Sequence, residues 1–288
     1  MTFLALALVV AAALIHASWN LMSKRAADAG PPFVVAYNLI ACLAYAPWVG
    51  WLLAERAVDW SWPVGACILA SGLVHLAYSL CLQRGYQVAD LSVVYPVARG
   101  SGPLLSATTA FLLFGEPVTL PGVLGLLAVV AGIGLIATQG SFAAFRKREG
   151  HLGVCWGLAT GGLIATYTVI DAYGVKALAI APVLLDWFSN LVRATLLTPV
   201  MFANPVGFRA AMRGRWHLAL GVGLLSPLSY ILVLAALDIG APVSAVAPMR
   251  EMSMMVGALL GLLILKEPVG PWRLAGCAVL IAGVLLLA

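Results

Sequence analysis

The chain has 288 residues, of which 63% are hydrophobic and only 9% are charged. A soluble domain carries about 25% charged residues, so this composition excludes an ordinary soluble protein. The formal net charge of +5 comes from few charges, which fall near the ends of apolar runs, so it does not indicate a nucleic-acid partner.

Ten apolar runs follow one another along the chain with short breaks between them. Each holds about 20 residues, enough for a helix to cross about 30 Å of hydrocarbon. The runs lie at about residues 3–22, 33–53, 63–83, 91–114, 119–138, 151–173, 181–202, 217–236, 241–264 and 271–288. The first run lacks a basic start and a clear cleavage site, so we interpret it as a retained helix and not as a signal peptide. We therefore predict an all-α integral membrane protein with ten transmembrane helices surrounded by membrane lipids.

Polar side chains interrupt the first and third runs at helical spacing. In the first run His16, Trp19 and Asn20 are spaced i, i+3, i+4, which places them on one helix face. In the third run His75 and Tyr78 form a second pair on one face. Such residues either hydrogen-bond to a neighbouring helix or line a substrate cavity, and both interpretations stay open. His16 is also a candidate proton-coupling group, because imidazole titrates near physiological pH.

Two arginines lie inside the fourth and ninth runs, each close after a proline. Arg99 follows Pro96, and Arg250 follows Pro248. Arg99 is about eight residues from the start of its run, or about 12 Å at 1.5 Å per residue, which places it towards the middle of the membrane. A proline at that depth removes a backbone hydrogen bond, so both helices are predicted to kink or break. A break frees backbone amides that can face a ligand in a water-filled cavity.

The arginines admit two interpretations. A guanidinium group suits the oxygens of a carboxylate, phosphate or phosphonate, so Arg99 and Arg250 are candidates for binding an anionic substrate. Alternatively, each arginine pairs with a buried acid and holds helices together, with Asp186 and Glu251 as the acids and Arg193 as a competing base. Adjacent helical residues do not face each other, so a pair between Arg250 and Glu251 requires a broken helix. Glu251 is the second candidate for proton coupling.

The two halves of the chain repeat one plan. Residues 78–100, YSLCLQRGYQVADLSVVYPVARG, resemble residues 230–251, YILVLAALDIGAPVSAVAPMRE, at a shift of about 152. Matching positions are Tyr78 and Tyr230, Ser92 and Ser244, Pro96 and Pro248, and, after a one-residue slip, Arg99 and Arg250, Gly125 and Gly276, and Gly132 and Gly283. These ordered matches indicate a duplicated unit of five runs. Because five is odd, the second unit enters the membrane in the opposite orientation, a common plan in secondary transporters. We assign the first repeat to residues 1–140, a connecting loop to 141–150 and the second repeat to 151–288.

The two repeats end on similar motifs. The first ends with GEPVTLPGVLGLLAVVAGIGLI at 115–136, and the second with LKEPVGPWRLAGCAVLIAGVLLL at 265–287. We interpret both Glu-Pro pairs as structural, with the proline at the start of the next helix. With the five-plus-five plan, these endings resemble the drug/metabolite transporter superfamily, EamA type, over nearly the whole chain. The resemblance implies a ten-helix bundle with a central cavity, alternating access to small solutes and a place in the bacterial inner (plasma) membrane. It does not fix the substrate, because many members have no arginine at the positions of Arg99 and Arg250.

We therefore expect a secondary active transporter of a small polar or amphipathic metabolite bearing an anionic group, with export as the direction that the resemblance implies. The expected substrate contacts are Arg99, Arg250, Tyr95, Tyr78, His75, His16, Trp19, Asn20 and Tyr230, and the expected coupling groups are Glu251 and His16. No hydrolase, metalloprotease or P-loop motif occurs, so we expect no enzyme activity, no cofactor and no metal site. A lipid flippase of the same architecture is the alternative, and a membrane-embedded enzyme is disfavoured. Both a monomer and a homodimer stay open.

Basic residues gather on one side of the predicted membrane. That side carries Lys24, Arg25, Arg84, Arg146, Lys147, Arg148, Arg209, Arg213, Arg215, Lys266 and Arg273, and the other carries Arg56 and Lys176. The positive-inside rule makes the first side cytoplasmic and places both termini outside. The resemblance implies cytoplasmic termini instead, so the orientation stays open.

Overall fold

The structure, a computed structural model, describes residues 1–55, 58–89, 91–141, 143–146, 148–265 and 270–288. Apart from short 3-10 turns, every regular element in these ranges is an α-helix. The helices are α1 (Phe3–Arg25), α2 (Pro31–Ala54), α3 (Trp62–Val88), α4 (Leu91–Leu113), α5 (Leu120–Thr138), α6 (Arg148–Lys176), α7 (Pro182–Ala203), α8 (Pro205–Met212), α9 (Trp216–Asp238), α10 (Val243–Met249), α11 (Met252–Leu265) and α12 (Pro271–Leu287).

All ten predicted runs are helical, which confirms an all-α integral membrane protein. In the described ranges, six helices are long and apolar enough to cross a membrane by themselves: α1, α2, α3, α5, α6 and α9. Helix α7 makes a seventh when it is taken with α8, to which it is bent by 105°. The ninth run is divided between α10 and α11.

The short helix α8 was not predicted from the sequence. It begins beside Asn204, whose side-chain oxygen accepts a hydrogen bond from the Gly207 amide at 2.9 Å. Pro205 fits the first turn, where its missing N–H has no helical acceptor to lose. Phe208 and Met212 then pack into a small apolar cluster with Phe33 at the start of α2. The sequence pattern missed α8 because eight residues are too few for a spanning-length apolar run.

The packing of α5 against α12 demonstrates that the repeats are inverted. A Cβ atom added at Gly132 would lie 2.8 Å from the carbonyl oxygen of Gly276, and one added at Gly125 would lie 2.9 Å from that of Gly283. The partner number rises as the first number falls, so the two helices run antiparallel. The repeat matches Gly125 with Gly276 and Gly132 with Gly283, so exchanging the repeats converts each contact into the other. A pseudo-two-fold axis therefore passes between α5 and α12.

A second pair of close contacts obeys the same symmetry. A Cβ atom at Gly72 of α3 would lie 3.0 Å from the carbonyl oxygen of Ser189 in α7. One at Gly223 of α9 would lie 2.8 Å from the carbonyl oxygen of Tyr37 in α2. These residues are related by shifts of 151 and 152, so α3 meets α7 as α9 meets α2. The predicted five-helix inverted repeats are thus visible in the packing as well as in the sequence.

One interface departs from the symmetry. Helix α6 packs closely on α4, where a Cβ atom at Gly157 would lie 2.7 Å from Val97 Cβ and one at Gly161 would overlap the Ser101 side chain. The counterparts of these helices are α1 and α11. Between them, and bounded also by α3, α4, α5 and α12, lies a cavity of about 620 Å³. The two repeats therefore carry the same helices in different packing.

The predicted helix break occurs in one repeat only. Helix α4 runs without interruption through Pro96 and Pro103. The matching segment of the second repeat ends as α10 at Met249 and resumes as α11 at Met252. The prediction of a break is confirmed for the second repeat, and in the first repeat the helix continues through its prolines.

The free N-terminus of α10 is capped from the other repeat. The two carboxylate oxygens of Glu116 accept hydrogen bonds from the amides of Val243, at 2.7 Å, and Ser244, at 2.9 Å. Lys176 Nζ lies 4.0 Å from Glu116 and donates to the carbonyl oxygen of Ala241 at 2.7 Å.

The proline of the first Glu-Pro pair does not begin a helix. Helix α5 begins at Leu120, so Pro117 lies in the connection between α4 and α5. Glu267, the matching acid, lies outside the described residues.

Candidate functional site

A cavity of about 130 Å³ lies between helices of both repeats. Its walls come from α1, α2, α3 and α4 of the first repeat and from α6, α7, α9 and Arg250 of the second. Seven of the nine expected substrate contacts line it: His16, Trp19, His75, Tyr78, Arg99, Tyr230 and Arg250. The other two, Asn20 and Tyr95, line the larger cavity instead.

The matched arginines meet at one carboxylate. Arg99 Nη1 donates to Glu251 Oε1 at 3.2 Å, and Arg250 Nε lies 3.9 Å from the same oxygen. Arg99 Nη2 also lies 3.2 Å from His16 Nε2, and Arg250 Nη2 donates to the Tyr167 hydroxyl at 3.3 Å. Arg99 is 8% exposed, Arg250 4% and Glu251 0%. Such burial is tolerable because each charge has a partner of opposite sign within reach.

The break between α10 and α11 makes this arrangement possible. Successive residues of a continuous helix point about 100° apart, so Arg250 and Glu251 would diverge. Glu251 instead turns one oxygen towards both arginines, while its Oε2 has no hydrogen-bond partner among the described residues. Of the two acids considered as arginine partners, Glu251 takes that place, and Asp186 does not pair with Arg99 or Arg250.

A second buried acid, Asp171 of α6, received no role from the sequence. Its Oδ2 accepts a hydrogen bond from the Tyr230 hydroxyl at 2.5 Å and lies 3.0 Å from His75 Nε2. Tyr167 stacks on the His75 ring with the centroids 4.0 Å apart. These contacts join α3, α6 and α9, so His75 and Tyr230 combine an interhelical hydrogen bond with a place on the cavity wall. A lone acid within an apolar run was the signal that could have identified Asp171.

Helix α7 contributes a polar stripe to the cavity wall. Asp186, Asn190 and Arg193 are spaced i, i+4, i+7 and all line the cavity. Asp186 is 5% exposed and Asn190 is 3% exposed. The helical spacing of these three residues would have revealed the stripe. From the sequence we considered Asp186 only as an arginine partner and Arg193 only as a competing base, and Asn190 was missed.

The predicted stripe of α1 faces both cavities, with His16 and Trp19 on the smaller one and Asn20 on the larger one. Trp19 Nε1 donates to Ser229 Oγ of α9 at 3.1 Å, which is an interhelical hydrogen bond at the cavity wall. Asn20 lies on the wall of the larger cavity. Tyr95 lines that cavity too, and its ring centroid is 5.6 Å from the guanidinium carbon of Arg99. Tyr95 therefore lies between the larger cavity and an arginine of the smaller one.

The larger cavity combines apolar walls with basic residues. The cavity is lined by Leu21, Ile136, Ala137 and Met254, together with Lys24 and Arg273.

Across the described ranges, no group of three or more His, Cys, Asp and Glu side chains is arranged to hold a metal ion.

Comparison with known proteins identifies the family. Residues 3–138 and 151–288 both match the EamA-like transporter family. "Multidrug resistance protein EbrB" of Bacillus atrophaeus is 36% identical over 91 residues, which are 31% of this chain and 72% of that protein. "Uncharacterized transporter YwfM" of Bacillus subtilis (strain 168) is 22% identical over 238 residues, which are 82% of this chain and 77% of that protein.

The fold is also that of a solved structure. A protein of known crystal structure superposes with a TM-score of 0.76 at 19% sequence identity, covering 98% of this chain and 95% of its own. Because both repeats match the family and the family consists of transporters, not enzymes, this chain is a multi-pass membrane transporter of the EamA-like transporter family, within the drug/metabolite transporter superfamily.

Proposed function

We propose that the protein is a secondary active exporter of a small polar or amphipathic solute whose anionic group binds Arg99 and Arg250. The observation that carries this proposal is that these matched arginines, one from each repeat, both line the cavity between the repeats. A bacterial plasma membrane is the location that fits its Bacillus relatives. Export is the direction that the resemblance to the family implies, and one relative bears the name of a multidrug resistance protein.

The charges on the cavity wall favour an anion. The charged residues that line it are Arg99, Arg193, Arg250 and Asp186. Glu251 and Asp171 are not among the described lining residues, so they lie behind the wall. The wall itself therefore presents more positive than negative charge, and a guanidinium group has donors left for a ligand after binding one carboxylate oxygen.

The unequal packing of the repeats supports alternating access. Helices α4 and α6 are in close contact, whereas the symmetry-related α1 and α11 border a cavity of about 620 Å³. Exchanging the two packings between the repeats would close this cavity and open its counterpart at the opposite side of the membrane. The solute site would stay between the repeats throughout.

Glu251 and His16 are the proposed proton-coupling groups. Both contact Arg99, so protonation of either would change the charge that the arginine meets. A proton gradient or the gradient of the solute itself would drive transport. Solute flux into proteoliposomes under an imposed pH gradient tests the coupling, and a gradient-dependent flux that persists in Glu251→Gln and His16→Gln would exclude both groups.

The anion proposal is tested by ligand-dependent thermal stability. The purified protein is heated with panels of anionic, zwitterionic and cationic metabolites, beside Arg99→Gln, Arg250→Gln and the exposed control Arg84→Gln. We expect stabilisation by carboxylates, phosphates or phosphonates in the wild type and the control, and its loss in both cavity variants. A ligand at 100 times its Kd stabilises by about 2.7 kcal/mol, which is readily measured. If neutral or cationic solutes stabilise and both cavity variants still respond, the arginines are structural and the anion proposal is wrong.

The larger cavity favours one alternative function. Apolar walls with Lys24 and Arg273 would suit an amphipathic lipid with an acidic head group. A lipid flippase of this architecture would scramble a labelled anionic phospholipid in vesicles, and the exporter proposed above would leave the label where it was placed.

A further inference from the structure

Polar contacts centred on Glu116 join the two repeats at one end of the molecule. Glu116, in the connection between α4 and α5, accepts hydrogen bonds from the amides of Val243 and Ser244 at the start of α10. Lys176, the last residue of α6, lies 4.0 Å from Glu116 and donates to the Ala241 carbonyl oxygen at 2.7 Å. These five residues form the Glu116 cluster. None of them is among the described residues that line the two cavities, so binding of a solute does not account for the cluster.

The Glu116 cluster and the larger cavity lie at opposite sides of the membrane. Helix α1 ends at Arg25, next to Lys24 on the wall of the larger cavity. The repeat matches Arg25 with Lys176, the end of α6, at a shift of 151. Because the two repeats are inverted, these matched helix ends lie at opposite sides of the membrane. The larger cavity therefore reaches the side of Lys24, and the Glu116 cluster lies at the other side.

The Glu116 cluster occupies the place where the counterpart of the larger cavity would open. Helices α1, α4 and α12 border the larger cavity, and the repeat matches them with α6, α10 and α5. The cluster connects those three helices, because Lys176 ends α6, Val243 begins α10 and Glu116 precedes α5. In the present packing α6 lies so close to α4 that a Cβ atom added at Gly157 would be 2.7 Å from Val97 Cβ. The counterpart cavity is thus closed in this structure, and the cluster lies across its position.

We infer that the Glu116 cluster is a gate that keeps the transporter closed at its own side of the membrane. This inference rests on the proposed function, because it assigns residues to the exchange of packings between the repeats. Opening the counterpart cavity requires α6 and α10 to move away from the end of α4 at Leu113, and Glu116 lies just beyond that end. The movement breaks two hydrogen bonds to a carboxylate and one ion pair, so the gate favours the present packing over the exchanged one.

Sided labelling of single cysteines tests the gate. The whole chain, with its five native cysteines replaced, is placed in vesicles, and a small, charged thiol reagent is applied to one side at a time. Ala107→Cys reports opening of the counterpart cavity, because Ala107 is 0% exposed and its match Ala258 lines the larger cavity. Ala219→Cys reports general loosening. Ala219 is 0% exposed and its match Ile68 is 7% exposed, so both packings keep that position covered.

Each reporter is combined with Glu116→Gln, Lys176→Gln or Arg25→Gln. Glu116→Gln keeps one acceptor oxygen but loses the charge, so it should raise the labelling rate of Ala107→Cys from the side of the cluster about tenfold. Lys176→Gln leaves the bonds to α10 in place and should raise that rate less. Arg25→Gln is the matched control at the opposite side and should leave the rate unchanged.

The three possible contrary results have different meanings. If Ala107→Cys reacts from the side of the cluster but neither Glu116→Gln nor Lys176→Gln changes its rate, the gate is wrong and alternating access stands. If labelling of Ala219→Cys rises together with that of Ala107→Cys, the cluster only stabilises the fold, and the gate is wrong as well. If Ala107→Cys is protected from the side of the cluster in every variant, the repeats do not exchange packings, and the proposed alternating access fails together with the gate.

Discussion

Arg99 and Arg250 occupy matched places in the two repeats but have different partners. Arg99 bonds directly to Glu251 and His16, whereas Arg250 bonds to Tyr167 and approaches Glu251 only to 3.9 Å. The difference starts from one residue, because Glu251 aligns with Gly100 at the shift of 151 that matches the arginines. A single acid thus serves two arginines, and the site has lost the symmetry of the fold around it.

Tyr78 and Tyr230, which the repeat matches, offer a test of the hydrogen bond to Asp171. Tyr230→Phe removes the hydrogen bond to Asp171 and leaves this buried acid with His75 alone. A hydrogen bond to a charged group contributes about 2 kcal/mol, so the variant should unfold at a clearly lower temperature in detergent. The matched control is Tyr78→Phe, because Tyr78 lines the same cavity and makes no hydrogen bond to a described residue. Equal unfolding temperatures for the two variants would show that Asp171 does not depend on Tyr230.

Among the elements, α10 is capped by a residue of the other repeat. It has seven residues, too few to be stable alone, and its first amides bond to Glu116 from the connection between α4 and α5. The cap matters for the site because α10 leads directly into Arg250 and Glu251. Glu116, which is structural as its place in the connection predicted, supports the site without lining the cavity.

Removal of this cap should therefore destabilise the protein. Glu116→Ala leaves the amides of Val243 and Ser244 without their acceptors and should cost about 1–2 kcal/mol. Glu116→Gln keeps one carbonyl oxygen and should cost less. Glu55→Ala, at an exposed position after α2, serves as the control in thermal unfolding. A loss no larger than that of the control would mean that α10 is held by its packing and not by the cap.

The contact of α5 with α12 gives a second test on elements. Gly132→Ala would place a methyl group 2.8 Å from the Gly276 carbonyl oxygen, so the helices must separate and the protein should be destabilised by about 1–3 kcal/mol. Gly134 lies on the same helix with open space where its Cβ atom would be, and Gly134→Ala should leave stability unchanged or raise it by up to about 1 kcal/mol. Opposite effects of two alanines two residues apart would locate the pseudo-two-fold contact, and similar effects would contradict it.

At the scale of the whole molecule, the sequence predicted the features of the fold that follow from the hydrophobic runs and from the internal repeat. Ten apolar helical runs and the inversion of the repeats follow from length and counting, and the depth of Arg99 in the membrane stays a prediction. The partner of Arg99 does not follow, because Glu251 is 152 residues away and reaches it only through a break at Arg250. Asp186 on the cavity wall and Asp171 behind it were missed as members of the site for a related reason. Apolar spans carry little amphipathic periodicity, so the sequence does not reveal which face of such a helix is turned to the interior.

The unequal packing of the two repeats leads to the prediction that concerns the whole molecule. Ala107 of α4 and Ala258 of α11 are matched by the shift of 151, but Ala107 is 0% exposed, whereas Ala258, 5% exposed, lines the cavity of about 620 Å³. In a variant whose five native cysteines are replaced, Ala258→Cys should react with a small, charged thiol reagent, and Ala107→Cys should be protected. Under the proposed exchange of packings between the repeats, reagent applied in turn to each side of intact vesicles should reach the two cysteines from opposite sides. A transported solute should change both labelling rates, lowering one as it raises the other. If both cysteines react from one side, or if the solute moves the two rates in the same direction, the repeats do not exchange packing and the cavity beside α11 is a fixed feature of the fold.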